Sequence, residues 1–322
     1  MGRSSREHSQ ETVPRPILII GIWLWMKRPT DRQHRLPDGR MIGFTEFGVA
    51  DGVPLFYCHG LPASRLEGRL FDTAANRNRA RLIAVDRPGF GLSDANASFQ
   101  LAVWPDDVAS LADALGISRF SVLGVSAGGP YALACGWKLP ERIQRIGVVC
   151  GLGPVYDPPV LGEMKMASRI SFSMAQRAPW LLRIIYNPLT VRYLRSHPEV
   201  LFTILGSGAC SADRLLFERT DVREMLFASW REALRGGAEG PLSELQRFIV
   251  PWGFDPSTIE VVVHLWHGND DTVVPVSHGH RYARSIKTVR SRFPAGEGHF
   301  SLPIRYADEI VRTMAAEEAA RQ

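Results

Sequence analysis

The chain has 322 residues, of which 45% are hydrophobic and 22% charged, and its formal net charge is +5. This composition is that of a globular protein, and the length allows one large domain with an insertion or two modest domains. Residues 1–40 hold eight Lys and Arg against four Asp and Glu, which leaves 30 against 29 elsewhere. A nucleic-acid partner requires a basic surplus on the folded body, so we expect none.

The N-terminal segment carries an apolar run, "ILIIGIWLWM" (residues 17–26), flanked by Arg15 and by Lys27-Arg28. The run is shorter than the roughly 20 residues that span a bilayer, and no A-x-A cleavage site follows it. Two tryptophans beside a basic pair suit peripheral contact with a membrane interface. The alternative is a helix packed on the domain or over its pocket. We assign residues 1–35 to an N-terminal arm or helix.

The four cysteines lie far apart in the sequence, mostly in apolar surroundings: Cys58, Cys135, Cys150 and Cys210. They form no CxxC pair and no Cys/His cluster with metal-ligand spacing. We interpret them as small core residues in a reducing compartment. We therefore expect a cytoplasmic protein, membrane-associated if the arm binds lipid, with no metal and no cofactor.

Short apolar runs alternate with helical segments from about residue 40 onward. This order predicts an α/β fold with a mostly parallel central sheet covered by helices on both faces. The predicted strands lie within residues 41–48, 54–60, 81–91, 120–124, 143–151, 260–268 and 289–299, and the predicted helices within residues 106–116 and 130–140.

The pattern changes between residues 154 and 251, which are mainly helical and lack convincing strands. Candidate helices lie within residues 179–188, 191–205 and 223–234. A separate all-helical domain is the alternative, but strand patterns resume at Ile259. We therefore predict a helical cap, residues 154–251, inserted into a core made of residues 36–153 and 252–322.

A serine stands among small residues in "LGVSAGGPYA", where a strand pattern passes into a helix pattern. The G-x-S-x-G spacing at a strand–turn–helix junction is typical of a nucleophile elbow. Larger side chains at Gly124 and Gly128 would collide where strand and helix pass closely. Ser126 is the predicted nucleophile, with its hydroxyl above the C-terminal edge of the sheet.

A serine nucleophile needs a base, and the base needs a carboxylate. His299 follows the last predicted strand beside glycine, where a loop can bring its imidazole over the sheet edge. Asp270 and Asp271 both follow the "VVVHLW" strand, and the residues alone do not choose between them. We expect other roles for five further histidines: His59, His264, His267, His278 and His280.

Five segments in this order resemble the α/β-hydrolase fold superfamily, in its cap-bearing branch, across about residues 36–315: "HGLPASR", "DRPGFGLSD", "GVSAGGPYA", "GNDDTVVP" and "GEGHF". The resemblance implies that Asp271, three residues after the glycine, is the acid. It also implies an oxyanion hole made by the backbone N–H groups of Leu61 and Ala127. The triad would then be Ser126, His299 and Asp271.

The serine favours hydrolysis of a small or medium apolar carboxylic ester, thioester or lactone through an acyl-enzyme. The apolar content of the cap suggests an apolar substrate, although each of these residues could instead form the cap's own core: Trp180, Leu181, Leu182, Ile184, Ile185, Phe202 and Phe227. Carbon–carbon bond hydrolysis and cofactor-free perhydrolysis use the same triad and stay as alternatives. A non-catalytic ligand-binding relative is a third hypothesis, which predicts no fluorophosphonate adduct at Ser126. The oligomeric state is not readable from the sequence.

Overall fold

An eight-stranded sheet forms the centre of the protein in a computed structural model, which describes residues 30–96 and 100–316. The order across the sheet is β1-β2-β4-β3-β5-β6-β7-β8, with β2 antiparallel to both its neighbours and the other pairs parallel. This confirms the predicted fold class. The strands are β1 (Arg32–Arg35), β2 (Met41–Gly48), β3 (Val53–Cys58), β4 (Ala80–Val85), β5 (Phe120–Val125), β6 (Ile143–Val149), β7 (Val263–Trp266) and β8 (Val289–Arg292).

Helices cover both faces of the sheet, as its continuously buried central strands require. All six residues of β5 are buried. The helices outside the cap are α1 (Asp72–Arg77), α2 (Trp104–Ala114), α3 (Gly129–Lys138), α12 (Val276–Ser285), α13 (Ser301–Arg305) and α14 (Ala307–Ala315). One face of the sheet packs against α2 and α3, and the other against α1 and α14.

Eight helices lie between β6 and β7, within the segment that the sequence assigns to the cap. The candidate helix at residues 191–205 is two helices, because Pro198 has no N–H to continue the first one and begins the second. The eight are α4 (Pro158–Glu163), α5 (Met166–Arg177), α6 (Pro179–Ile185), α7 (Pro188–Ser196), α8 (Pro198–Gly206), α9 (Ser211–Phe217), α10 (Thr220–Ala233) and α11 (Glu239–Phe248).

The sheet begins at Arg32, inside the segment that we assigned to the N-terminal arm. β1 has the sequence RQHR, which lacks apolar alternation because it is an exposed edge strand. The apolar run at residues 17–26 lies outside the described residues, so its contact with a membrane stays a prediction. Among the residues that the structure describes, no helix is both long and apolar enough to cross a membrane.

Two cap helices anchor the cap to the loops that follow β3 and β4. On α10, Ser229 accepts hydrogen bonds from the backbone N–H and the hydroxyl of Ser64, and Glu232 pairs with the buried Arg65 at 2.8 Å. On α11, Glu244 pairs with Arg87 at 2.8 Å, and both side chains are fully buried. The cap therefore lies over the loops at the carboxyl edge of the parallel strands.

Candidate active site

The predicted nucleophile occupies a sharp turn between β5 and α3. Ser126 has φ +56°, a left-handed conformation that is uncommon for a residue with a side chain. A Cβ at Gly124 would collide with the backbone of Gly128, and a Cβ at Gly128 with the carbonyl oxygen of Cys58. The glycines therefore give the clearance that we predicted, and the turn presents the serine hydroxyl at the sheet edge.

The structure brings Ser126, His299 and Asp271 together. The Ser126 hydroxyl lies 3.0 Å from His299 Nε2, and His299 Nδ1 lies 2.8 Å from Asp271 Oδ2. In this geometry the hydroxyl can donate to Nε2 while the Nδ1–H donates to the carboxylate. The three residues follow β5, β8 and β7, whose parallel carboxyl ends meet at one edge.

Asp271 is buried and fixed by its own loop, whereas Asp270 is exposed. Asp271 Oδ1 accepts hydrogen bonds from the backbone N–H groups of Val273 and Val274, each at 2.9 Å. Burial alone would raise the pKa of Asp271, but the charge and hydrogen bond of His299 hold it below its usual value. Asp271 is thus an ionised acceptor that faces the histidine.

The pKa of His299 is shifted the other way. Burial alone would lower it, but the charge and the hydrogen bond of Asp271 outweigh burial and raise it above the usual 6.5. The side chain is almost enclosed, with 7% of the residue exposed. His299 therefore has the partner that a general base needs to stabilise its protonated form.

Three other histidines contact backbone atoms of the core, and one of them, His267, also lies 3.5 Å from Asp271 Oδ2. His59 Nδ1 lies 2.8 Å from the carbonyl oxygen of Gly60, while its Nε2 faces the backbone N–H of Arg87. His267 Nε2 contacts the Val274 carbonyl oxygen at 2.9 Å, and His278 Nδ1 accepts from the Gly153 N–H. Burial lowers the pKa of all three imidazoles, as expected for neutral core histidines.

A cap residue that the sequence analysis missed holds the histidine loop. Asp213 on α9 is 1% exposed and accepts hydrogen bonds from three successive backbone N–H groups, those of His299, Phe300 and Ser301. These amides precede and begin α13, so the carboxylate satisfies a helix N-terminus. No motif marks Asp213, because its partners lie 86–88 residues further along the chain.

A second carboxylate that we did not predict holds the loop after β3. Glu67 Oε2 accepts from the Tyr57 hydroxyl and from the Gly60 N–H, both at 2.7 Å. Burial raises the pKa of Glu67 against these two hydrogen bonds, which lower it. The carboxylate thus fixes the backbone just before Leu61. The sequence did offer one signal for this role of Glu67, which is its place shortly after the "HGLPASR" segment.

Two cavities meet at Ser126. A small compartment of about 40 Å³ is lined by Glu67, Trp230 and His299 among others. A large compartment of about 210 Å³ extends under the cap and is bordered by Leu61, Ser126 and Ala127. None of the seven apolar cap residues that we named borders either compartment. The walls are instead formed by other apolar cap residues, among them Met164, Phe172, Leu194, Leu201, Ile204 and Leu205.

Cys150, Asp271 and His299 place three potential metal ligands within 4.8 Å of one another. Asp271 and His299 already hydrogen-bond to each other within this set. Burial, together with the charge of Asp271, raises the pKa of the Cys150 thiol well above its usual value. A protonated thiol is a poor metal ligand, so the arrangement fits an acid–base pair better than a metal cage.

Comparisons with known proteins identify the family. Residues 53–305 match the family model described as the alpha/beta hydrolase fold. An uncharacterized protein of Mycobacterium tuberculosis is 24% identical over 256 residues, which cover 75% of this chain and 70% of that protein. A 2-hydroxymuconate semialdehyde hydrolase of Pseudomonas putida is 33% identical over 106 residues, or 32% of this chain and 38% of that one.

Solved structures agree on the fold. The esterase RhEst1 from Rhodococcus sp. ECU1013 has a TM-score of 0.64 at 22% identity, over 89% of this chain and 98% of that chain. The chain belongs to the α/β hydrolase fold family and is an enzyme of the hydrolase class.

Proposed function

We propose that this protein is a serine hydrolase that cleaves small or medium apolar carboxylic esters, thioesters or lactones. The observation that carries the proposal is the hydrogen-bonded chain from the strained Ser126 through His299 to Asp271. A hydroxyl gains nucleophilic strength when a base accepts its proton and a buried carboxylate stabilises the resulting imidazolium. The apolar walls of the large compartment favour an apolar substrate.

The proposed reaction has two halves. His299 Nε2 takes the Ser126 proton as Oγ attacks the carbonyl carbon, and the tetrahedral oxyanion forms. The imidazolium then gives this proton to the departing alkoxide or thiolate, which leaves an acyl-enzyme. Water, deprotonated by His299, attacks the acyl carbon and releases the acid, and the proton returns to Ser126 Oγ.

The backbone N–H groups of Leu61 and Ala127 are the proposed oxyanion donors. Both residues border the large compartment beside Ser126. Ala127 lies in the turn that leads into α3, where helix N-terminal amides favour negative charge. Two side chains fix the backbone just before Leu61. Glu67 accepts from the Gly60 N–H, and Arg87 donates to the Gly60 carbonyl oxygen at 2.9 Å. Each donor would be worth about 10²–10³ in rate.

The test is a comparison of Ser126→Ala with Ser121→Ala on p-nitrophenyl butyrate. Ser121 lies on the same strand, and its hydroxyl donates to the Met314 carbonyl oxygen away from the site. We expect Ser126→Ala to lower kcat by about 10⁴-fold or more with unchanged folding by circular dichroism. Ser121→Ala should retain most activity, and only proteins with Ser126 should form a fluorophosphonate adduct.

Retained activity in Ser126→Ala would reject the mechanism. A folded wild-type protein that neither reacts with the fluorophosphonate nor turns over a panel of esters, thioesters, lactones and vinylogous diketones would favour the ligand-binding hypothesis. Diketone cleavage faster than ester cleavage would instead favour carbon–carbon bond hydrolysis.

A further inference from the structure

A third cavity, of about 380 Å³, lies within the cap between α6, α7 and the connection from α10 to α11. We call it the arginine pocket, because four arginines border it: Arg183, Arg192, Arg195 and Arg235. One acidic side chain, Glu239, is on the same wall. All four arginines are exposed to solvent, so the pocket is an open depression in the cap surface with a surplus of positive charge, which attracts anions.

Two of the arginines have acidic neighbours and two do not. Arg183 pairs with Glu239 at 2.8 Å, and Arg235 lies 3.4 Å from Glu232. Within the described ranges, 30–96 and 100–316, no carboxylate lies within salt-bridge distance of Arg192 or Arg195. Both project from α7, three residues apart, so their side chains lie on neighbouring turns. Two unpaired guanidinium groups can bind one phosphate or carboxylate through several charge-assisted hydrogen bonds.

The arginine pocket adjoins the large compartment. Tyr186 and Leu234 border both cavities. The same helix, α7, gives Arg192 and Arg195 to the arginine pocket and Leu194 to the large compartment. Leu234 is buried and packs with Leu194 and Tyr186, so these side chains separate the two cavities. A ligand that reached from the guanidinium groups to Ser126 would have to displace Tyr186 or Leu234.

We propose that the arginine pocket binds an anionic group of the substrate, a phosphate or a carboxylate, whose apolar chain runs through the large compartment to Ser126. The substrate class is then an amphiphilic ester or thioester with an anionic end. This proposal rests on the proposed function and narrows it. It does not fix whether the anion belongs to the acyl or to the alcohol part, and the experiment separates these sources.

Two substrate pairs differ only in the anion. The first is p-nitrophenyl octanoate against the p-nitrophenyl monoester of octanedioic acid, with the anion on the acyl chain. The second is octanoylglycerol against octanoylglycerol phosphate, with the anion on the alcohol. We expect the anionic member of at least one pair to have a KM lower by about tenfold or more, as charge-assisted hydrogen bonds supply.

The double variant Arg192→Gln/Arg195→Gln should abolish that preference and leave kcat/KM for the neutral esters unchanged. Its matched control is Arg169→Gln/Arg177→Gln, which removes the same charge from arginines that border a different cavity. This control should keep the wild-type preference. Equal KM values within both wild-type pairs, or an equal loss in both double variants, would overturn the proposal.

A binding measurement keeps the proposal testable if hydrolysis fails. Octyl phosphate, compared with octanol, should raise the Tm of the wild-type protein and of the control variant, but not that of Arg192→Gln/Arg195→Gln. The neutral esters and Ser126→Ala test the proposed function alone. If the protein hydrolyses neutral esters but octyl phosphate does not raise its Tm, the proposed anion binding in the arginine pocket is rejected. The proposed serine mechanism is unaffected by that result.

Discussion

His299 sets the pH dependence of the proposed reaction, because only the neutral imidazole can accept the Ser126 proton. Asp271 raises the pKa of His299 above the usual 6.5, so the histidine loses its proton at a higher pH than a free one. We expect kcat/KM for a neutral ester to rise with pH and to reach half its maximum above pH 6.5. A pH–rate profile measures this midpoint.

Variants of the two adjacent aspartates check the assignment of the acid. Asp271→Asn should shift the midpoint to lower pH and reduce kcat by about 10⁴-fold, because the imidazolium loses its counter-charge. The exposed Asp270→Asn is the control and should change neither quantity. The opposite result would show that the family register, which selects Asp271, does not hold for this chain.

At the residue scale, the sequence is informative where a side chain's task is encoded by its immediate neighbours. The sharp turn at Ser126 could be predicted, because Gly124 and Gly128 leave room for the strand and the helix to pass closely. Asp213 could not, because it acts on backbone amides 86–88 residues further along the chain, whereas the place of Glu67 beside "HGLPASR" did offer a signal. A buried carboxylate on a backbone N–H carries no local pattern that separates it from a surface acid.

At the scale of elements, α9 of the cap and α13 of the core are joined through Asp213. Asp213→Ala would leave the N–H groups of His299, Phe300 and Ser301 without their acceptor. Since the loop that holds the imidazole would then shift, we expect kcat to fall about 10–100-fold with little change in KM. Steady-state kinetics on a neutral ester measure this split.

The conservative variant Asp213→Asn separates positioning from charge. It keeps one acceptor oxygen, so it should recover part of kcat. The charge of Asp213 is also among those that raise the pKa of His299, so this variant should lower the pH midpoint, by less than Asp271→Asn does. The exposed Asp221→Ala is the control. A loss of kcat equal in Asp213→Ala and Asp221→Ala would refute the positioning role.

Element types follow from local patterns, and their limits depend on single residues. β2 has the bounds Met41–Gly48 that its apolar run and terminal glycine predict. Apolar periodicity alone joined residues 191–205 into one helix, whereas Pro198 divides them. β1 was missed because an exposed edge strand needs no apolar side chains. The cap's arrangement was likewise not predictable, since its apolar residues divide between its own core, the cavity walls and the surface.

At the scale of the whole molecule, cap and sheet share one hydrophobic cluster. Phe172 and Phe248 from the cap helices lie in the same buried cluster as Phe56 and Val122 from the sheet. Unfolding either part alone would expose apolar surface that the other part covers, at a cost of about 25 cal/mol per Å². We therefore regard the cap as part of a single cooperative unit with the core rather than as a lid that folds alone.

The buried pair of Arg87 and Glu244 allows a test of whether the cap and the core unfold together. Both side chains are fully buried, and Arg87 also donates to the Gly60 carbonyl oxygen. Glu244→Gln would leave a guanidinium without its counter-charge in the interior, which costs about 3–5 kcal/mol of the free energy of unfolding. Urea unfolding, followed by tryptophan fluorescence and by far-UV circular dichroism, should show one coincident transition at a lower urea concentration than in the wild-type protein.

The control is Asp51→Asn, because Asp51 is exposed and paired with Arg79 at the surface, and its cost should be about 0–1 kcal/mol. Two separate transitions, with part of the helical signal lost in the first, would mean that the cap and the core unfold independently.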